Sequence, residues 1–394
     1  MNQVIILGDV HLGKSVNIGK HGVGSALSSR VIDQLAILDW VLEKADEYCV
    51  NDIIITGDIF EEGKPHPSLI TSFIRFVKKV SKLGIKIHII RGNHDILRSG
   101  NFYLSALDII MAADIENAFV YSNVSTIVIG NSGFTFAPFV DRKSLFLDSN
   151  KEAVETLEKI FKYENAGISN ELYKVMVGHL AIEGSLFVGD EVDDVANELF
   201  CPLSMFEGYD YVWMGHVHKP QVLSKTPHIA HIGSMDISNF GETNHQKHIV
   251  VYDADSGNFF TEKIPTRPLL KISIIVPPEV TDTTSYVLEE IKKIDLKKSI
   301  VKVEINLDST EAAAVNKGVL QKALLEQGCF NISSITETKK VKILKKEDDS
   351  SFTHAMDAES LIKTYADTHI EQDLRSEYIS VANEIHKQLK MDSK

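Results

Sequence analysis

Cysteine is scarce in this 394-residue sequence, and the three present, Cys49, Cys201 and Cys329, are scattered and odd in number. They lack metal-site spacing and form no disulfide framework, so they read as small buried hydrophobes in a reducing compartment. Long apolar runs are also missing, and no stretch approaches the ~20 residues of a membrane span. Met1-Asn2-Gln3 enters a strand at once and leaves no room for a signal peptide. The expectation is a cytoplasmic protein without membrane contact. Positive charge is short as well: Lys plus Arg number 41 against 55 Asp plus Glu, a net charge of −14. Many nucleic-acid binders are basic. A chain this acidic would need bound divalent cations, a local basic patch or a partner to hold DNA, and net charge alone favours neither DNA nor a small substrate.

What is present is a repeated local grammar. The apolar run Ile85-Lys86-Ile87-His88-Ile89-Ile90 ends abruptly in Arg91-Gly92-Asn93-His94-Asp95. Val4-Ile5-Ile6-Leu7 precedes Gly8-Asp9-Val10-His11, and Ile53-Ile54-Ile55-Thr56 precedes Gly57-Asp58. Lys174-Val175-Met176-Val177 leads to Gly178-His179, and Tyr211-Val212-Trp213-Met214 to Gly215-His216-Val217-His218. Each run reads as a buried strand whose C-terminal end opens into a polar site. One Gly-Asp or Gly-His after a strand is ordinarily a turn; five in one chain point to a shared site. Glycine lets backbone approach a ligand closely, and open α/β sheets bind ligands beyond the carboxyl ends of their strands. Carboxylates, imidazoles and one amide suit Mn, Fe or Zn better than a thiolate site does. Two carboxylates and four imidazoles exceed the needs of one metal, so the reading is a two-metal site. Such a pair, roughly 3.5–4 Å apart, clamps the attacking and leaving oxygens of a phosphoryl displacement.

Between the blocks, strand and helix alternate, which is α/β grammar with parallel pairing. A Gly-rich loop follows His11, where Lys14, Lys20 and His21 can touch a phosphate backbone or simply be solvated. Ser28 or Ser29 caps a helix to about Tyr48 with Ile32, Leu35, Leu38, Leu42 and Ala45 on its buried face. Further helices are expected over 67–83, 102–112 and 150–163, and short strands over 119–137 with Asn131-Ser132-Gly133 as a hairpin turn. The apolar faces of 67–83 and 102–112 are candidates for a dimer contact or for ordinary core packing. With the strand His248–Tyr252, residues 1–266 read as a β-sandwich flanked by helices. Arg267-Pro268 marks a boundary. Residues 267–345 form a small α+β module with strands at 269–276, 300–307 and 332–344 and helices at 283–293 and 311–326. A charged linker and two helices fill 346–394. In the last of these Ile370, Leu374, Tyr378, Val381, Ile385 and Leu389 recur at steps of three and four, a stripe for a partner or for the chain itself.

These motifs, in this order, resemble the calcineurin-like metallophosphoesterase superfamily over the first 265 residues or so. Three features are similar to the Mre-eleven / SbcD DNA-repair nucleases: Asp58-Ile59-Phe60 with Lys64-Pro65, Asp95 after Gly-Asn-His, and Gly233-Ser234 with Phe240-Gly241-Glu242. The resemblance implies a four-layer αββα sandwich with a capping domain that binds DNA and a helical tail that binds an SMC-like ATPase of the Rad-fifty / SbcC type. It implies a homodimeric DNA-repair nuclease, a 3′→5′ exonuclease on duplex ends and an endonuclease on single strands, using two Mn2+ (or Mg2+ or another divalent metal). It would act in the cytoplasm at the nucleoid, or in host cytoplasm if viral. By the same resemblance Asp9, His11 and His218 hold one metal, Asn93, His179 and His216 the other, and Asp58 bridges. His94 is then the catalytic acid, and Asp95 either orients it or caps the next helix. Family members often carry a second histidine three residues after the bridging aspartate; this chain has Glu61, which bears on the handling of duplex ends. Glu61, Lys14, Lys20 and Arg91 complete the candidates near substrate. Two other classes share the ligands: a phosphodiesterase acting on a small molecule such as a cyclic nucleotide, and a non-catalytic scaffold for the ATPase.

Overall fold

The computed structural model describes residues 2–21, 27–99, 102–187, 198–308, 313–339 and scattered positions between 363 and 383. The chain forms two compact units, Met1–Lys340 and Val341–Lys394.

Two six-stranded sheets make the body of the first unit. In one, β1 (Gln3–Leu7), β2 (Val50–Ile55), β3 (Lys86–Ile90) and β6 (Ala118–Tyr121) run parallel. β15 (His248–Asp253) pairs antiparallel with β1, and β16 (Phe259–Lys263) with β15. The other has the order β7 (Ser125–Ile129), β8 (Ser132–Ala137), β9 (Tyr173–Gly178), β12 (Tyr211–Met214), β14 (His228–His231), β13 (Gln221–Lys225). Its four central strands are parallel and its two edge strands antiparallel.

Strand side chains alternate in direction, so β1 serves two cores at once. Val4 and Ile6 face the second sheet with Ile54, Ile90, Phe134, Phe136, Val177 and Trp213. Ile5 and Leu7 face helices α1 (Ser29–Glu47), α2 (Pro67–Lys82) and α3 (Leu107–Ala112), packing with Val41, Phe73 and Ile110. On the outer side of the second sheet, Leu157 and Phe161 of α4 (Asn150–Gly167) pack on Met176 and Val212. Burial on both faces explains the continuous apolar runs of the central strands. The result is the expected αββα sandwich.

Four local expectations are corrected. The buried face of α1 is Val31, Gln34, Ile37, Leu38, Val41 and Ala45, together with Arg30, while Ile32 is exposed. Residues 102–112 are not one helix: β4 (Ile96–Ser99) and β5 (Phe102–Ser105) pair as a hairpin before α3 begins. The β7–β8 turn falls on Gly130-Asn131, because Ile129 already pairs with Ser132. Helix α6 spans Lys317–Glu326, starting at an Asn316 cap rather than near 311. A two-stranded parallel pair, β10 (Ala181–Ile182) with β11 (Phe200–Cys201), completes the body.

From Leu269 a separate core builds up. β17 (Leu269–Val276), β18 (Ile300–Leu307) and β19 (Asn331–Lys339) are all parallel, joined by α5 (Thr283–Lys292) and α6. Ile274, Val287, Val303, Leu320 and Leu324 fill this core. The module seats on the body where Arg267 pairs with Asp33 at 2.6 and 2.7 Å and lies 3.8 Å from the Phe330 ring centroid. Asn331 also donates to the Ile18 carbonyl at 2.8 Å.

In the second unit, described positions are helical at Lys363, Ala366, Arg375, Ser376 and 378–383. Leu374, Tyr378 and Val381 of the expected stripe are exposed there, while Ile370, Ile385 and Leu389 lie outside the described residues. Among the described residues no helix is long and apolar enough to cross a membrane.

Candidate metal centre

All five Gly-containing blocks lie at C-terminal ends of parallel strands, three from the first sheet and two from the second. Backbone bonds stitch their loops together: the Asp58 carbonyl accepts from Val10 and His11 amides at 3.1 and 2.8 Å, and Gly215 donates to the Gly178 carbonyl at 2.9 Å. His11, Asp58 and His216 adopt left-handed backbone, with φ of 44°, 46° and 76°. Three non-glycine residues in that sparsely populated region, in one site, are held there by surrounding structure. Two glycines are required by close approach. A Cβ at Gly92 would collide with the Asp58 carboxylate and amide, and one at Gly215 with the Asp9 carboxylate.

The side chains converge. Ligand atoms of Asp9, His11 and His218 lie within 4.8 Å of one another, as do those of Asp9, Asp58 and His179, and of His11, Asp58 and His94. The Nε2 atoms of His11 and His218 face each other at 2.8 Å. The Asn93 Oδ1 sits 2.8 Å from His179 Nε2 and 3.1 Å from His216 Nδ1. Asp58 Oδ2 stands between the two groups, 3.5 Å from His11 Nε2 and 3.3 Å from His179 Nε2. Asp9, His11, Asp58 and His179 are at most 1% exposed. Ring nitrogens aimed at one another, with carboxylates between them, fit a pair of divalent cations of the hard to borderline kind.

A surrounding set of contacts fixes these groups. Thr56 Oγ1 donates to Asp9 at 3.1 Å, and its carbonyl accepts from His179 Nδ1 at 3.0 Å. Glu61 Oε2 is 2.8 Å from His11 Nδ1, Glu242 Oε1 is 3.5 Å from His218 Nδ1, and Glu198 Oε2 is 3.3 Å from His216 Nε2. Carboxylates behind ligating imidazoles orient the ring and raise its basicity. The neutral His231 ring donates from Nδ1 to the Gly215 carbonyl at 2.9 Å and accepts at Nε2 from Ser185 Oγ at 2.9 Å. Buried Lys247 directs its three donors to the His218 carbonyl, Ser234 Oγ and Glu242 Oε2 at 2.9, 2.7 and 2.8 Å. Gln34 on α1 bonds both the His11 carbonyl (2.9 Å) and the Gly13 amide (3.0 Å), which explains a polar residue on that buried face.

Protonation follows from these neighbours. For His179, burial pulls the imidazole down, but the Asp58 and Asp9 carboxylates outweigh it and push the pKa up to about 9. Burial takes His218 down to about 4 against the pull of Glu242, so that ring is neutral. His94 is likewise lowered by burial, yet Asp58, the Glu61 carbonyl and the Glu61 carboxylate raise it above the usual histidine value overall. Its Nδ1 donates to that Glu61 carbonyl at 2.7 Å, which leaves Nε2 for the cleft.

Of the remaining candidates, Asp95 does not bond the His94 ring. Its fully buried carboxylate accepts from the Gly92, Ile59 and Phe60 amides at 3.0, 2.9 and 3.3 Å, tying the Asn93 loop to the Asp58 loop. Lys14 sits 3.3 Å from Glu61 at the edge of the site. Lys20 lies over the Phe330 ring at the module junction, and Arg91 donates to the Ser122 carbonyl. Thr56, Glu198, His231 and Lys247 are absent from the candidates that the sequence offered. Only Thr56, abutting Gly57, carries a local signal.

The profile of the calcineurin-like phosphoesterase family matches residues 3–220. The SbcD chain of the SbcCD nuclease from Escherichia coli is 21% identical over 302 residues, 71% of this chain and 74% of that protein. The corresponding protein from Staphylococcus epidermidis is 25% identical over 282 residues, 69% of this chain and 72% of that protein.

Proposed function

The chain belongs to the calcineurin-like phosphoesterase family and is a metal-dependent phosphoester hydrolase, and from there we propose that it is a Mn-dependent DNA nuclease subunit. It degrades duplex ends from 3′ to 5′ and cuts single strands, as a homodimer working with an SMC-like ATPase in repair or recombination. The similarity to the SbcD components of SbcCD nucleases supports the substrate and the partner. The convergence of Asp9, Asp58, Asn93 and four histidines beside His94 carries the chemistry.

In this reading Asp9, His11 and His218 would hold one cation and Asn93, His179 and His216 the second, with Asp58 between the two groups. Bound divalent cations would polarise the phosphate and lower the pKa of the attacking water. The neutral His218 ring has a nitrogen available for a cation, and the neutral Asn93 amide moderates the charge of the site. His94, oriented by the Glu61 carbonyl, donates its Nε2 proton to the leaving 3′-oxygen as general acid. The α+β module of residues 267–345 caps the bound DNA, and the tail of 346–394 grips the ATPase through its exposed Leu374, Tyr378 and Val381. Exposed Leu104, Ile109 and Met111 around α3 support a dimer contact, whereas the apolar residues Phe73, Val77 and Val80 of α2 are committed to the core. The protein works in the cytoplasm at the nucleoid.

The test is Mn-dependent cleavage of a 3′-labelled duplex by wild type, His94→Ala and Asp58→Ala. His94→Ala should lose about 10²–10⁴-fold in rate while keeping its metal, and Asp58→Ala should lose both. Failure of the wild type to cut duplex or single strand, even with the ATPase added, would defeat the reading. Turnover of a small phosphodiester in that case would indicate a small-molecule enzyme.

A further inference from the structure

A cleft of about 520 Å³ opens directly from Asn93 and His94, and its outer wall carries Arg98, Asp141, Arg142 and Lys143. The charges of this wall do not cancel. Asp141 is taken up by an ion pair with Arg98, by the Tyr103 hydroxyl at 3.3 Å and by the Ser144 amide at 2.7 Å. Glu198, the other carboxylate lining the cleft, faces His216. Arg142 donates through Nη1 to the Asp148 carbonyl at 3.1 Å, which fixes its guanidinium without neutralising it. Among the described residues neither Arg142 nor Lys143 has a carboxylate ion-pair partner.

The segment bearing them is also preformed. Amides of Leu145, Leu147 and Phe146 return to the carbonyls of Asp141, Arg142 and Lys143 at 3.3, 2.9 and 3.1 Å, and Ser144 Oγ donates to the Asp141 carbonyl at 2.7 Å. Two uncompensated cations on an internally bonded loop, at the rim of a cleft leading to His94, are suited to a polyanion. A single phosphate at the reacting centre would not require them. We propose that Arg142 and Lys143 form a phosphate subsite that holds a single strand of DNA beyond the scissile phosphate, an assignment that rests on the nuclease reading. It also answers how a chain of net charge −14 binds DNA: the attraction is local, at a rim whose carboxylates are already paired.

The experiment measures binding of a phosphorothioate single-stranded oligonucleotide to the full-length, Mn-loaded protein across salt concentrations. Each phosphate contact on a single strand contributes about 0.7 to the slope of log affinity against log salt. Arg142→Ala/Lys143→Ala should flatten the slope by about 1.4, and either single replacement by about 0.7. The wild-type advantage over the double variant should then shrink about sevenfold between roughly 50 and 200 mM salt. Arg142→Lys/Lys143→Arg should keep the wild-type slope. A double variant with wild-type melting temperature and metal content but an unchanged slope overturns the subsite and leaves the nuclease reading standing. A wild type that neither binds nor cuts DNA overturns both.

Discussion

Lys247→Met should destabilise the protein and loosen one metal at the same time. The lysine and Glu242 are both fully buried, and their side chains meet at 2.8 Å. Methionine is close in volume, so what is removed is the charge and not the packing. It leaves Glu242 as a buried carboxylate without its cation, and breaking a buried pair in this way costs about 3–5 kcal/mol. The titration of Glu242 points the same way. Burial alone would raise it, but His218 and Lys247 together overcome that and bring its pKa from 4.5 down to about 2, a net of about 3 kcal/mol at ~1.36 kcal/mol per unit to which both partners contribute. Because the folded value is the lower one, this stability is present above pH 4.5 and is lost as pH falls towards 2. At about 2–4 °C per kcal/mol, the variant should melt roughly 10 °C below wild type. His218 loses its backbone anchor, and the Glu242 carboxylate behind its ring loses the cation that holds it in place, so affinity for one cation should fall about 10–100-fold. Adding Glu242→Gln removes the stranded charge and should recover much of the melting temperature without recovering the metal affinity. Calorimetry of the metal-free proteins and a metal titration report these separately. A single variant within a degree or two of wild type, or a double variant no better than the single, would refute the reasoning.

Metal binding should release protons. With His179 at about 9 in the metal-free protein, its ring is protonated near neutral pH, and a cation must displace that proton. Affinity should rise about tenfold per pH unit towards pH 9, and titration heats near neutral pH should depend on the buffer's ionisation enthalpy; buffer-independent heats would contradict this. Glu61→Gln weakens the hold on His11 Nδ1 but leaves the backbone carbonyl that orients His94. Metal affinity should fall about tenfold, while the alkaline limb of the pH–rate profile, where His94 loses its proton, is kept and moves only slightly to lower pH, because Asp58 and the Glu61 carbonyl raise His94 more than the Glu61 carboxylate does. A large shift of that limb at constant metal affinity would show the opposite assignment.

The proposed ligands were legible because each stands directly after a glycine at the end of an apolar strand, or within two residues of one that does, so the pattern survives without tertiary information. The braces were not. Lys247 lies 29 residues from the carbonyl it holds, and Asp95 lies 36 residues from the Ile59 amide it caps. Nothing in their local sequence marks either contact. The face of α1 was misjudged for a related reason: apolar residues occupy many of its positions, so the phase of the stripe is ambiguous. It is settled by Arg30 and Gln34, polar residues that are buried because Asp236, the Ile237 carbonyl and the His11 carbonyl receive them. Residues 102–105 read as helix on their apolar spacing until the pairing with Ile96–Ser99 claimed them as strand.

Metal stoichiometry of the purified full-length chain tests the central claim most directly. Equilibrated with Mn2+ and stripped of excess, the wild type should retain two ions per chain by elemental analysis. Asp58→Ala, which removes a carboxylate oxygen standing 3.5 Å from His11 Nε2 and 3.3 Å from His179 Nε2, should retain fewer. A wild type saturating at one ion or none would contradict the dimetal centre.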